Sequence, residues 1–220
     1  MRLLEIISLL VSSVHSIGPY SGGCPNLTGT QDFSLGYHFG VWKVAAYLPN
    51  LFFPTNYTYI PGQGCTEVTY KKTRREGKDI YFDIEHHLSF EKHFPIYEDY
   101  TLGTECVEMW ENFPGYYNLN KRGLLKMAKN NETNPKTDGK DIVVFYQSIR
   151  QGVAYLFSCV GSIGVPKHIP IFMVVSKQGI LSKREAEAHV RNAIQLLSRT
   201  DYSVTWASDV EYPRHDRCWS

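Results

Sequence analysis

The sequence predicts an all-β domain: an eight-stranded antiparallel up-and-down barrel with one C-terminal α-helix packed outside it. Three observations support this prediction. Segments with apolar residues at every second position recur along the middle of the chain, turn-forming residues separate most of them, and one helical pattern follows the last. The 220 residues are 43% hydrophobic and 14% aromatic, which is enough to bury one sizeable core.

The clearest strand is the segment 79–91. Its apolar face carries Phe82 and Ile84 and continues through His86 and Leu88, while polar residues occupy the other face. Further strands are predicted around Trp42 and at 66–72, 97–102, 105–110, 123–129, 141–147, 153–158 and 169–176. Turns are predicted at 76–77, 113–115, 134–135 and 138–139, where Gly, Pro, Asn and Asp occur. The total of eight or nine strands is enough to close a small barrel.

One helix is predicted after the last of these strands. Ser182 and Glu185 have the spacing of a capping box, in which each residue satisfies a backbone N–H of the other. Apolar residues then follow at helical spacing: Ala186, Val190, Ala193, Ile194 and Leu197. We expect this stripe to pack on the outer wall of the barrel. A short strand is predicted at 202–207, with Val204 and Trp206 on one side.

The start of the chain has the pattern of a secretion signal. Arg2 precedes an apolar run at 3–11, and short residues near Ser16 suit cleavage by signal peptidase. We expect residues 1–16 to be removed, which leaves 17–220 as a single domain. No later segment approaches the roughly 20 apolar residues of a membrane-spanning helix. The mature protein is therefore expected to be soluble and extracellular.

Glycosylation is expected on the same route. Asn26, Asn56 and Asn131 each begin an Asn-x-Thr sequon, which is an acceptor for N-linked glycan in secreted proteins. The formal net charge of +1 gives no electrostatic reason to expect nucleic acid or an anionic membrane as a partner. The mixed run 71–78 is interpreted as a solvated hairpin tip.

Five cysteines in a secreted chain predict two disulfides and one remaining thiol. Any four of them allow three pairings, and their spacing does not choose among these pairings.

The segment 32–49 resembles the first signature of the lipocalins, in which Gly-x-Trp begins the first barrel strand. Gly40 and Trp42 match this motif, and the resemblance places Trp42 at the closed end of the barrel as a structural plug. Two later signatures depart from the family. Ser148-Ile149-Arg150 replaces a Thr-Asp-Tyr, and Lys177 stands where lipocalins carry an Arg over the Trp. A lysine can still place a cation over the indole ring.

The cysteine layout is similar to that of the lipocalin group containing apolipoprotein D, insecticyanin and bilin-binding protein. That resemblance implies the pairs Cys24 with Cys159 and Cys65 with Cys218. Cys106 has no counterpart in the layout. Three explanations stay open for it: a buried thiol, a bond between two copies of the chain, or a sign that the implied pairing is wrong.

The resemblance implies a carrier of a small hydrophobic ligand, from classes that include fatty acids, retinoids, steroids and tetrapyrroles. No other cofactor and no metal are implied. Alternation along the strands gives the candidate lining residues, which are Val44, Ala46, Phe82, Ile84, His86, Leu88, Met109 or Trp110, and Tyr155 or Phe157. A slip of one residue in register would exchange the two faces.

Two other functions are weighed against carriage. One is a thiol-dependent lipid isomerase using Cys106, as in the prostaglandin D synthase branch of the lipocalins, although no base or cation is evident beside this cysteine. Catalytic motifs such as Gly-x-Ser-x-Gly and His-Glu-x-x-His do not occur, so an enzyme is not expected. The other is an interaction protein with a filled barrel, whose region 112–140 and aromatic segments 51–54 and 116–117 meet a receptor or a second copy of the chain.

Overall fold

The computed structural model describes residues 20–48, 64–96, 101–128, 134–161 and 167–213. The side chains of 64–65, 90–96, 101–107 and 109 are not described within these ranges. The predicted signal segment 1–16, the sequons at Asn56 and Asn131, and Cys218 lie outside the described residues.

Eight antiparallel strands of the described chain close into a barrel. They are β2 (Gly40–Tyr47), β3 (Gly64–Glu76), β4 (Asp79–Ile96), β5 (Thr101–Asn118), β6 (Leu124–Met127), β7 (Lys140–Ser148), β8 (Val153–Gly161) and β9 (Lys167–Ser176). Each strand pairs with the next along the chain, and β9 closes the barrel by pairing with both β8 and β2. A two-residue strand, β1 (Tyr20–Ser21), lies outside the barrel against the start of β9. The predicted all-β barrel is confirmed.

Helix α2 (Lys183–Leu197) packs on the outside of this barrel, as predicted. Its capping box is present: the Ser182 hydroxyl accepts from the Glu185 N–H at 3.3 Å, and the Glu185 carboxylate accepts from the Ser182 N–H at 2.9 Å. Four residues of the predicted stripe are buried against the wall: Ala186, Val190, Ala193 and Leu197. None of the helices in the described ranges is long and apolar enough to cross a membrane.

The wall has a hydrophobic cluster on each face. The interior cluster includes Trp42, Val44, Val68, Tyr70, Phe82, Ile84, Leu125, Val144, Leu156 and Met173. The outer cluster joins the wall to α2 and the C-terminal segment and includes Ala46, Leu48, Tyr155, Phe157, Phe172, Val174 and Trp206. Because successive side chains of a strand point to opposite faces, β8 and β9 contribute to both clusters.

A four-residue helix, α1 (Leu35–His38), closes one end of the barrel, which we call the floor. Trp42 is fully buried there, and its indole N–H donates to the His38 carbonyl at 2.7 Å. The Lys177 ammonium donates to the Phe39 carbonyl and lies 5.1 Å from the centre of the Trp42 ring. Gly40 begins β2 with φ of +100°, a conformation that favours glycine. These contacts agree with the plug role that the lipocalin resemblance gives Trp42.

A disulfide joins Cys24 to Cys159, with the two Cα atoms 5.7 Å apart. This confirms the first pairing that the lipocalin resemblance implied. It ties the segment before the barrel to the end of β8. The second implied pair, Cys65 with Cys218, includes a residue outside the described ranges.

Two predicted elements are wrong. The segments 97–102 and 105–110 were expected to be separate strands followed by a turn at 113–115, but β5 runs without interruption from 101 to 118. Residues 97–100 of the first segment lie outside the described residues. Gly115 lies within β5, under the ring of Phe82. A Cβ atom at this position would stand 2.3 Å from that ring, so only glycine fits. Its glycine therefore permits close packing and forms no turn.

The second error concerns 202–207, where a short strand was expected. The chain there has no regular pairing and enters a 3₁₀ turn at Ala207–Asp209. Side-chain hydrogen bonds hold this segment instead. The Tyr202 hydroxyl lies 2.7 Å from His168 Nε2 and accepts from the Trp206 indole at 2.8 Å. Trp206 is consequently buried against the outer wall without belonging to a strand.

Candidate ligand cavity

A cavity lies inside the barrel, above the floor. It is lined by Tyr70, Ile84, His86, Met127, Ile142, Leu156, Phe157, Ser158, Ile171 and Met173. These residues come from six strands, β3, β4, β6, β7, β8 and β9, so the cavity depends on closure of the barrel. Its free volume is about 20 Å³, roughly what one water molecule requires. Side chains therefore fill most of this level of the barrel.

Tyr70 brings a hydroxyl group to the cavity. Its side chain is 2% exposed, and within the described chain no hydrogen-bond partner is found for the hydroxyl. The ring is held by neighbouring rings, with its centre 4.4 Å from that of His38 and 6.1 Å from that of Phe82. Burial raises the pKa of Tyr70, so the hydroxyl stays protonated and can donate. Leaving such a group unpaired is costly, which makes it a candidate contact for a ligand.

His86 is the second polar group on the wall. It is 5% exposed, and burial lowers its pKa to about 4, so the imidazole is neutral at physiological pH. The ring meets Phe113 edge-on at 5.2 Å between centres. Neutral imidazole offers one donor and one acceptor.

Glu111 stands directly opposite His86 in the pairing of β4 with β5. Paired residues share a face of the sheet, and Phe113, two residues further along β5, packs in the interior cluster. Glu111 therefore faces inward beside His86. Burial raises the pKa of its carboxyl group above the ordinary value. The sequence analysis did not identify this acidic group.

His38 lies in the floor beneath Tyr70. Burial lowers its pKa to about 3, and the positive charge of Lys177 lowers it further in the same direction. Its Nδ1 lies 3.3 Å from the side-chain amide nitrogen of Gln147, while its Nε2 finds no hydrogen-bond partner in the described part of the chain. His38 is thus a neutral polar group in the floor, under an apolar cavity.

The structure brings some of the predicted lining residues together at the cavity. Ile84 and His86 line it. Val44 and Phe82 belong to the same interior cluster, and Leu88 is buried two residues beyond His86 on the same strand. The side chain of Met109 lies outside the described residues.

Three predicted lining residues face outward. Ala46 packs in the outer cluster because an irregularity between Val44 and Ala46 inserts an extra residue into β2 and reverses the alternation. Tyr155 also faces outward: its hydroxyl lies 2.8 Å from Nδ1 of His189 on α2. Trp110 is 65% exposed and stacks on His87, on the outer face of β4, at 3.7 Å. The inward placement of Ala46 was therefore wrong, while Tyr155 and Trp110 were each one of two alternatives, the others being Phe157 and Met109.

Phe157 belongs to both sides of the wall. It is among the residues bordering the cavity, but its ring packs against Tyr202 and Trp206 on the outside. Conversely, the sequence analysis missed seven lining residues: Tyr70, Met127, Ile142, Leu156, Ser158, Ile171 and Met173. The alternation of Thr66, Val68 and Tyr70 in β3 was a signal that could have identified Tyr70.

Comparison with known proteins supports the fold through structure alone. No family profile matches the chain, and no curated protein matches its sequence. Among solved structures it is similar to insecticyanin from the tobacco hornworm Manduca sexta, at 17% identity over 90% of this chain and 89% of that chain, with a TM-score of 0.55. Apocrustacyanin C1 is 17% identical over 91% and 93% of the two chains, with a TM-score of 0.53.

Lobster apocrustacyanin A1 is 15% identical over the same shares of the two chains, 91% and 93%, with a TM-score of 0.50. These matches span about nine tenths of this chain. We conclude that this chain has the lipocalin fold, in a divergent form.

Proposed function

We propose that the chain binds and carries a small hydrophobic ligand inside its barrel. One observation carries the proposal: the barrel encloses an apolar cavity with a few convergent polar groups, which is the usual character of a small-molecule site. Burial of apolar ligand surface contributes about 25 cal/mol per Å². Fatty acids, retinoids, steroids and tetrapyrroles are the classes to test first.

A ligand larger than one water molecule has to displace side chains from the cavity. Met127 and Met173 both line it, and methionine is the side chain that repacks most readily because it is unbranched and flexible. We therefore propose that ligand uptake enlarges the cavity by moving these two side chains.

The first experiment is a titration of the folded, delipidated protein with a fatty acid, a retinoid, a steroid and biliverdin, followed by tryptophan fluorescence. Trp42 lies in the interior cluster with Tyr70 and should report occupancy of the barrel. Saturable quenching at micromolar or lower ligand concentration supports a carrier and identifies the ligand class. No response to any of the four would contradict the proposal.

A pair of variants on β6 locates the binding site. Met127→Trp places a large ring at the cavity and should weaken binding at least about tenfold, because overpacking opposes ligand entry. Lys126→Trp adds the same ring to the adjacent residue, whose side chain points to the opposite face. It should bind as the unmodified protein does in isothermal titration calorimetry. Equal loss of binding in both variants would place the ligand elsewhere.

A second candidate function is favoured by the small free volume: an interaction protein whose barrel is filled by its own side chains. The loops first considered for it are not all loops, since 112–118 belongs to β5 and 124–127 to β6. Tyr116 and Tyr117 are buried, and 51–54 lies outside the described residues. Trp110 on the outer face is an exposed aromatic of the described chain that could carry such an interaction. The partner would be a receptor, or a second copy of the chain joined by a disulfide through Cys106.

We propose binding rather than catalysis as the activity. The backbone of Cys106 lies in β5 opposite Glu91, and its thiol is outside the described side chains. Cys106→Ser should leave ligand affinity unchanged. A ligand turned over by the unmodified protein and not by this variant would favour the isomerase.

We also propose that the protein is extracellular, with residues 1–16 removed and 17–220 forming one domain. The disulfide between Cys24 and Cys159 suits an oxidising compartment, and the exposed side chain of Asn26 is accessible to glycosylation. Expression in animal cells should release a glycoprotein into the medium whose first residue is Ile17. Retention of residues 1–16 in the released protein would contradict the cleavage site.

A further inference from the structure

The polar groups of the cavity indicate what kind of ligand it takes. Resting on the proposed carrier function, we infer that the ligand presents an uncharged oxygen group, a hydroxyl or a carbonyl, to Tyr70. A carboxylate is correspondingly disfavoured.

The hydroxyl of Tyr70 makes no hydrogen bond within the described ranges. Buried polar groups in native proteins are nearly always hydrogen-bonded, and each exception calls for an explanation. Tyr70 lines the cavity, is 2% exposed, and has no hydrogen-bond partner for its hydroxyl in the described ranges. A ligand oxygen would supply that partner. His86 on the adjoining strand borders the same cavity.

The described lining of the cavity carries no positive charge. Its titratable lining residues are Tyr70 on β3 and His86 on β4, and the lining residues of β6, β7, β8 and β9 are uncharged. Glu111 on β5 faces inward opposite His86 but does not line the cavity. No cation is among the described lining residues. A ligand carboxylate beside Tyr70 would therefore have no positive partner among these lining residues, which is unfavourable in a buried site.

Among the described side chains, the cations nearest to the interior are engaged elsewhere. Lys177 lies in the floor, where its ammonium donates to the Phe39 carbonyl and sits over the rings of Tyr37 and Trp42. His38, also in the floor, is kept neutral by its burial and by the charge of Lys177. Lys43 pairs with Glu67 on the outer face. None of these groups can neutralise a carboxylate beside Tyr70.

Retinol, retinal and retinoic acid provide the test, because they share one hydrocarbon skeleton and differ in the oxygen group. At pH about 7.5 retinol and retinal should bind about a hundredfold or more tightly than retinoic acid, since the acid must lose its charge to enter. Lowering the pH to about 5.5 should strengthen retinoic acid binding by about tenfold per unit and leave retinol unchanged. Equal affinity for all three at pH 7.5 would overturn the inference while supporting the carrier function.

Two tyrosine variants test the contact itself. Tyr70→Phe should weaken retinol binding by about three- to tenfold, the worth of one neutral hydrogen bond, and leave the affinity for the oxygen-free hydrocarbon analogue unchanged. Tyr117→Phe removes the same hydroxyl from another buried residue of the interior cluster that does not line the cavity, so it should change neither affinity.

The outcomes separate this inference from the proposed function. If no retinoid and no hydrocarbon analogue binds, the carrier function fails at this site and the inference fails with it. If retinol binds equally well to the unmodified protein and to Tyr70→Phe, the assignment of Tyr70 is wrong although the carrier function stands. Thermal unfolding of both variants checks that the fold is intact, and a loss of affinity for the hydrocarbon as well would indicate a merely structural role.

Discussion

Removal of the disulfide between Cys24 and Cys159 should measure how much this one cross-link stabilises the barrel. The perturbation is the double substitution Cys24→Ala with Cys159→Ala. The cross-link joins residues 135 positions apart, so it restricts the unfolded chain over more than half of the sequence. Chain-entropy reasoning gives about 5 kcal/mol at 25 °C for a loop of this length, and native disulfides of small secreted domains deliver about 2 to 5 kcal/mol.

The assay is equilibrium unfolding in guanidinium chloride, followed by circular dichroism. The double variant should unfold with a free energy lower by about 3 to 5 kcal/mol. The slope of the unfolding free energy against denaturant should also rise, because the unlinked unfolded chain exposes more surface. The single variants Cys24→Ala and Cys159→Ala are the internal control. Either one breaks the same link, so each should cost about as much as the double substitution.

Two results would refute this reasoning. A loss below about 1 kcal/mol would mean that the cross-link does not restrict the unfolded chain over 135 residues as the structure implies. Additive losses in the two single variants would mean that the side chains stabilise the fold separately, through packing, and not through the bond that joins them.

Two further predictions concern the floor and a surface ion pair. Lys177→Met removes the cation over Trp42 and the donor to the Phe39 carbonyl, so it should lower the free energy of unfolding by about 1 to 2 kcal/mol. Lys177→Arg should recover most of this loss in the same denaturation assay. The hydrogen bond from Lys136 is the main cause that lowers the pKa of Asp79 to about 2. The Asp79 carboxylate therefore stabilises the fold fully above its unfolded pKa of about 4, and this contribution is lost as pH falls through 2. The stability difference between the unmodified protein and Asp79→Asn should therefore shrink between pH 4 and 2 in acid-titrated melting curves, and a difference that stays constant over this range would contradict it.

The sequence predicted the architecture because local patterns and the final fold agree. The alternation of Phe82 and Ile84 continues through β4, and the capping box at Ser182 begins α2. The error at Gly115 arose where a turn-forming residue serves another purpose, since this glycine makes room for the ring of Phe82. Sequence alone does not show which side chain will cover a glycine, because the two residues meet only after β4 and β5 pair.

The cavity was harder to predict than the barrel. In β8 both faces are apolar, with Tyr155 on one and Leu156 on the other, so alternation gave no basis for choosing the inward face. In β2 the extra residue between Val44 and Ala46 reversed the faces within a single strand. Glu111 escaped notice because an acidic residue in a strand usually indicates the solvent side, and its inward position follows only from its pairing with His86.

The two clusters on opposite faces of the wall stabilise the same strands independently. Helix α2 secures β2, β8 and β9 from outside through Ala186, Val190, Ala193 and Leu197, so those strands do not depend on the interior alone for their positions. Substitutions such as Met173 to a smaller residue can therefore enlarge the interior while the outer layer keeps the strands in register. A chain built in this way can change its ligand specificity during evolution and keep the same barrel.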